Sequence, residues 1–136
     1  MIFDTSVNVT HVGNVRSNNE DAVSVNDTQL CWIVADGMGG HAHGDVASQL
    51  AIQVVRDFFE KTGDLNASIA EAHAAILSEG ERDAKKHGMG TTLVAANAIG
   101  RGFNIAWVGD SRAYIFDGQL KQITADHTFV QDMVYR

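Results

Sequence analysis

The sequence has no proline, no long apolar run and only one cysteine in 136 residues. The lone Cys31 excludes an intrachain disulfide and a zinc site built from several thiolates. No stretch approaches the ~20 apolar residues that a membrane-spanning helix requires. The N-terminus also lacks the basic and apolar segments of a secretory signal. These absences predict a cytoplasmic protein without a membrane partner.

Basic residues are also scarce, with 10 Lys and Arg against 17 Asp and Glu, which gives a formal net charge of −7. An acidic chain repels a phosphate backbone, so nucleic acid is not expected as a partner. Hydrophobic residues make up 45% of the sequence, which is enough to bury one core in a chain of this length. We therefore expect one domain over residues 1–136.

The hydrophobic pattern alternates between the periods of strands and helices. An apolar stripe at helical spacing predicts one helix from Asp45 to near Gly63, and a weaker pattern predicts a second over residues 66–87. A third helix is expected to start at His127 and to be cut by the end of the sequence, because no capping residue follows. This order of elements predicts an α+β layered fold. Strands are predicted over residues 3–10, 22–25, 30–35, 92–98, 103–108, 113–116 and 120–123.

An acid stands where the apolar run 31–35 ends, because Asp36 is followed by Gly37-Met38-Gly39-Gly40-His41. The glycines allow the backbone to turn sharply around the Asp36 carboxylate. A carboxylate in such a place is costly unless a positive group meets it, and a hard metal ion is the usual partner. The alternative is an ordinary glycine turn in which Asp36 acts as a cap.

Four further motifs accompany this acid, and they occur in a fixed order along the chain. They are Arg16-Ser17-Asn18-Asn19-Glu20-Asp21, Gly90-Thr91-Thr92, Gly109-Asp110-Ser111-Arg112-Ala113-Tyr114 and Asp126-His127-Thr128. In this order the set closely resembles the metal-dependent serine/threonine protein phosphatases of the type 2C (PPM) family. The version with Asp-Gly-Met-Gly-Gly-His resembles the bacterial branch. The resemblance extends from about Val9 to the last residue.

This resemblance implies both a fold and a set of site residues. The fold would be an incomplete α-β-β-α sandwich that lacks the C-terminal strands and helices of the family. Mn²⁺ or Mg²⁺ is the implied cofactor, with two ions in complete members. The implied roles are metal bridging by Asp36, metal binding by Glu20, Asp21, the Gly37 carbonyl and Asp110, phosphate binding by Arg16, and proton transfer or substrate handling by His41.

The implied reaction is metal-dependent hydrolysis of phosphoserine and phosphothreonine in proteins that a kinase has modified. Two metal-binding aspartates of complete members lie beyond the last residue of this sequence. We therefore expect one ion and weak or absent activity from this chain alone. The alternative is a non-catalytic module that binds metal or phosphopeptide, and a domain-swapped homodimer is a third possibility. Arg16 and His41 could also be exposed loop residues, and Asp110 could stabilise a turn.

Overall fold

The computed structural model describes residues 5–39 and 43–127, and its centre is a sheet with two helices on one face. The α+β class predicted from the sequence is confirmed. The elements are β1 (Asp21–Asn26), β2 (Cys31–Met38), α1 (Gly44–Thr62), α2 (Leu65–Arg82), a short 3-10 helix (Ala84–Lys86), β3 (Gly90–Thr91), β4 (Leu93–Ile99), β5 (Gly102–Val108), β6 (Tyr114–Phe116) and β7 (Leu120–Gln122).

The main sheet has the order β1-β2-β4-β5, all antiparallel, and β3 pairs with the end of β2. Alternate residues of β2 point to opposite faces, as the period of a strand requires. Cys31, Ile33 and Ala35 are buried in the core that α1 covers, whereas Val34 on the other face is 46% exposed. Full burial of a side chain such as Val55 of α1 stabilises the fold by about 2 kcal/mol. The core therefore lies between the sheet and the helices.

Both predicted helices are present, and local signals set their ends. At the end of α1, Gly63 adopts a left-handed φ of 66°, and its N–H donates to the Phe59 carbonyl at 2.7 Å. Asp64 then caps α2 by accepting from the Ala67 N–H at 3.0 Å. The predicted end of the second helix at residue 87 is wrong, because α2 stops at Arg82.

Helix α2 ends at Arg82 because the next residue, Asp83, caps the 3-10 helix that follows. The Asp83 carboxylate accepts the Lys85 N–H at 3.0 Å, which begins the 3-10 helix in place of another turn of α2. A carboxylate at such a position satisfies a backbone donor that would otherwise lack a partner. The helical period in the sequence continues through this point, so periodicity alone misses the boundary.

Two strand predictions are corrected. Residues 5–10 form no strand, and Val7 is 89% exposed. The third predicted strand does not end at residue 35, because β2 continues through Asp36 to Met38. It does so because Gly37 and Met38 pair with β3. Residues 3 and 4, His41 and the predicted last helix over 128–136 lie outside the described residues, and the described His127 is not helical.

The face of the sheet opposite the helices carries apolar side chains that remain exposed. Val34, Met38 and Phe103 are 46%, 53% and 50% exposed on the main sheet. The strands predicted over residues 113–116 and 120–123 are present as β6 and β7, which pair in a separate two-stranded sheet. Within residues 5–39 and 43–127, no helix is long and apolar enough to cross a membrane. Asp36 points to this same open face of β2.

Candidate active site

An open cleft of about 800 Å³ lies where the loop before β1, the end of β2 and the loop after β5 meet. These three segments are far apart in sequence and are brought together by the sheet. Asp21 lies beside the cleft through its pairing with β2, while His41 falls outside the described residues. The cleft lining includes five of the residues predicted from sequence: Arg16, Glu20, Asp36, Gly37 and Asp110.

Two carboxyl groups face each other at the end of the β1–β2 pair. Asp21 stands opposite Asp36 in the register, and directly opposite side chains on one face are neighbours. Burial raises the pKa of Asp36, and the hydrogen bond and negative charge of Asp21 raise it further. The charge of Asp110 acts in the same direction, whereas Arg16 lowers the pKa. Negative charge is therefore crowded at this point, and a cation would relieve the crowding.

Glycines allow three backbone segments to meet beside these acids. The Gly37 N–H donates to the Glu20 carbonyl at 2.9 Å. A Cβ atom on Gly37 would lie 1.9 Å from the Gly44 carbonyl oxygen, and one on Gly44 would lie 2.8 Å from Glu20 Oε2. No side chain fits at either position without a backbone shift. The start of α1 therefore packs against the loop that carries Glu20 and against the end of β2.

The loop that carries Asp110 is held by residues 124–127. Gly109 and His127 bond reciprocally, because the His127 N–H donates to the Gly109 carbonyl at 2.9 Å and the Gly109 N–H donates to His127 Nδ1 at 3.3 Å. Arg112 forms a bidentate pair with Asp126 at 2.7 and 3.0 Å. Arg112 thus pairs with an acid and ties the loop after β5 to residues near His127.

Thr92 also lines the cleft, although it was not among the site residues predicted from the sequence. Its side chain is buried, at 4% exposure, and its hydroxyl lies 2.5 Å from the Ser111 hydroxyl. It also bonds to the backbone of Asp36. The sequence offered one hint, a polar side chain at the start of an otherwise apolar strand. A buried hydroxyl in such a place normally has hydrogen-bond partners.

The donor set of the cleft suits a hard divalent cation. The groups are carboxylates and backbone carbonyls, which favour Mg²⁺ or Mn²⁺ over zinc. Among the described residues, no group of three or more His, Cys, Asp or Glu side chains is arranged to hold an ion. The fit rests instead on the Asp21–Asp36 pair, in which burial and then the hydrogen bond and charge of Asp21 raise the pKa of Asp36.

The fold agrees with what comparison with known proteins finds. A family model described as Protein phosphatase 2C matches residues 11–131. The chain therefore belongs to the protein phosphatase 2C family, as its motifs predicted. Members of this family are serine/threonine protein phosphatases that depend on Mn²⁺ or Mg²⁺.

Particular relatives are bacterial. Serine/threonine protein phosphatase PstP of Mycobacterium tuberculosis is 45% identical over 129 residues, covering 90% of this chain and 25% of that protein. Serine/threonine phosphatase stp of Listeria monocytogenes is 39% identical over 136 residues, covering 90% of this chain and 54% of that protein. The crystal structure of the PstP catalytic domain in complex with two manganese ions has a TM-score of 0.80 and 42% identity, over 92% of this chain and 56% of that chain. The chain thus spans between a quarter and about half of these relatives.

Proposed function

We propose that this chain contributes the acidic and phosphate-binding part of an active site that hydrolyses phosphoserine and phosphothreonine in proteins. The observation that carries the proposal is Asp36, which lines the cleft together with Arg16 and stands opposite Asp21 beside it. A bound Mn²⁺ or Mg²⁺ ion would supply charge neutralisation and a more acidic water. The structure of the PstP catalytic domain, which is in complex with two manganese ions, supports this choice of metal.

The chain's own residues would divide the work by chemistry. Asp36, Asp21 and the Gly37 carbonyl would hold the cation, with Glu20 and Asp110 as further oxygen donors. The Arg16 guanidinium is a planar fork of donors that matches two phosphoryl oxygens. His41 would donate a proton to the leaving serine or threonine oxygen, a task that an imidazole side chain can perform. Support for His41 comes from the sequence pattern.

The activity of the 136-residue chain by itself is part of the proposal. We propose one bound ion and weak or absent turnover, because the carboxylates gathered at the cleft supply few anionic ligands for a second ion. A second candidate is a module that binds Mn²⁺ or phosphopeptide without turnover, and the same observation favours it. The two candidates share the metal site and differ in whether phosphate is released.

Phosphate release from a phosphothreonine peptide, with Mn²⁺ and with a chelator, separates these candidates. Asp36→Asn should abolish Mn²⁺-dependent release, whereas Asp57→Asn, the same change on the exposed surface of α1, should leave it intact. Release that persists in chelator, or that Asp36→Asn leaves unchanged, would contradict the phosphatase proposal. Mn²⁺ binding that requires Asp36 but gives no release would establish the second candidate.

Partners and location complete the proposal. The substrates would be proteins phosphorylated by a serine/threonine kinase. The reaction would take place in the cytoplasm. A domain-swapped homodimer would use the exposed apolar face of the sheet, on which Val34 and Phe103 lie. Sedimentation over a range of concentrations tests the dimer, since a monomer mass at every concentration excludes it. Fractionation of the source cells tests the location.

A further inference from the structure

We propose that Thr92 is a positioning residue that fixes Asp36 relative to Asp110. It would do so because one buried hydroxyl and one methyl group contact the segments that carry both acids. The inference rests on the proposed function, in which both acids face a bound cation. It assigns a role to a residue whose side chain need not touch metal or substrate.

Thr92 forms two hydrogen bonds with the backbone of Asp36. The register pairs Val34 with Val94 and Gly37 with Thr91, so Asp36 stands opposite Thr92. The Thr92 N–H donates to the Asp36 carbonyl at 2.9 Å, as in an ordinary antiparallel ladder. The return bond differs, because the Asp36 N–H donates to Thr92 Oγ1 at 3.2 Å.

The Asp36 N–H bonds to the Thr92 hydroxyl rather than to the Thr92 carbonyl for a local reason. The Thr92 carbonyl accepts a hydrogen bond from Thr91 Oγ1 at 2.7 Å, and β3 and β4 are separated at Thr92. The Thr92 side chain therefore takes over a bond that the backbone would otherwise make. Both the N–H and the carbonyl of Asp36 are held by Thr92, and this fixes the backbone from which the Asp36 carboxylate extends.

The Thr92 hydroxyl also contacts the loop that carries Asp110. Thr92 Oγ1 lies 2.5 Å from Ser111 Oγ. Since Thr92 Oγ1 accepts from the Asp36 N–H, its own proton is free to be donated to Ser111. One hydroxyl thus connects the residue after Asp110 to the backbone of Asp36, across segments more than 70 positions apart in the chain.

The methyl group of Thr92 lies beside Gly109, the residue before Asp110. A Cβ atom on Gly109 would lie 2.7 Å from Thr92 Cγ2, and Gly109 has a φ of +95°. Gly109 therefore lets the loop pass directly over the Thr92 methyl group. With Gly109 on the methyl and Ser111 on the hydroxyl, Asp110 is held on both sides by one side chain.

The test compares Mn²⁺ affinity, measured by electron paramagnetic resonance titration, in three threonine variants. Thr92→Val keeps the shape and removes the hydroxyl, and should weaken Mn²⁺ binding about tenfold, as loss of a residue that orients a ligand does. Thr92→Ser keeps the hydroxyl and should stay within about threefold of the unchanged protein. Thr28→Val, the same exchange at an exposed turn between β1 and β2, should have no effect.

The possible results distinguish failure of the Thr92 inference from failure of the proposed function on which it rests. Equal Mn²⁺ affinity in the unchanged protein and in Thr92→Val overturns the inference alone. A folded, unchanged protein that binds no Mn²⁺ overturns the proposed function and this inference with it. If Thr92→Val does not fold, Ser111→Ala removes the link to Asp110 and leaves Asp36 bonded. It should move the amide resonances of both Asp36 and Asp110 in the metal-free protein, and an unmoved Asp36 amide refutes the link.

Discussion

Asp21 and Asp36 stand directly opposite each other across β1 and β2, and a hydrogen bond between their carboxyl groups helps to raise the pKa of Asp36. Neighbouring carboxylates repel each other when both are ionised, and a bound cation relieves that repulsion. Proton and cation compete for the same oxygen atoms. The pair is therefore a source of instability in the metal-free protein and a source of affinity in the metal-bound one.

Asp21→Asn should separate these two effects. The variant removes one of the crowded charges, so the metal-free protein should unfold at a higher temperature than the unchanged protein. Mn²⁺ affinity should fall by about tenfold or more, because an anionic group beside the ion is lost. Thermal unfolding with and without Mn²⁺ measures both quantities. Asp117→Asn in the exposed β6–β7 turn is the matched control, and a lower melting temperature for metal-free Asp21→Asn would contradict the account.

Gly37→Ala should disrupt the site through packing. Its Cβ atom would lie 1.9 Å from the Gly44 carbonyl oxygen, so either β2 or the start of α1 must move. Overpacking of this kind costs about 3 kcal/mol of unfolding free energy. Gly102→Ala is the control, since nothing lies within 4 Å of the Cβ atom it would add. Urea unfolding of both variants measures the difference, and equal stabilities would show that the close approach at Gly37 is absent in solution.

Arg16→Lys should impair substrate binding more than turnover. Lysine keeps the positive charge but loses the planar fork that bonds two phosphoryl oxygens at once. We expect KM for a phosphothreonine peptide to rise about tenfold, which corresponds to the loss of about 1.4 kcal/mol of binding. Arg56→Lys on the exposed side of α1 serves as the control. An unchanged KM would assign Arg16 to the loop surface instead.

The end of α2 should confer a pH dependence that is independent of the cleft. Hydrogen bonds from Arg82 and then Lys86 lower the pKa of Glu79 from 4.5 to about 2. A lowered pKa adds stability above the unfolded value, and this stability is lost as the pH falls from 4.5 to about 2. Glu79→Gln should therefore be less stable at neutral pH and should approach the unchanged protein near pH 2.

Chemical unfolding at a series of pH values measures this convergence. Glu71→Gln, the same substitution at an exposed position of α2, should follow the unchanged protein at every pH. A Glu79→Gln deficit that is constant across the acid range would mean that packing, not charge, accounts for the loss.

Local patterns in the sequence predicted much of the fold. The apolar stripe of α1 and the glycine after it identify that helix closely, because both features act within a few residues. The alternation of Val7 and Val9 predicted a strand that is absent over residues 5–10. A strand requires a partner backbone beside it, and the alternation of side chains carries no information about that partner.

The site shows the same division between local and distant causes. The motifs identified Asp36, Glu20 and Arg16 as candidates, and the structure places them at one cleft. The continuation of β2 through Gly37 and Met38 was missed because it depends on pairing with β3, more than 50 residues away in sequence. The link from Thr92 to Ser111 was missed for the same reason. Spacing along the chain reveals which side chains could react, but pairing across the sheet determines what holds them.

The one thiol of the chain can report on the opening of the fold. Cys31 is 4% exposed on the helix-covered face of β2, and burial raises its pKa to about 11. Thiolate is the form that reacts with alkylating reagents, so the folded protein should be almost inert toward them. Reaction then requires separation of α1 from the sheet, and the labelling rate measures how often that occurs. The native Cys31 thus reports how often the core opens, and no engineered probe is needed.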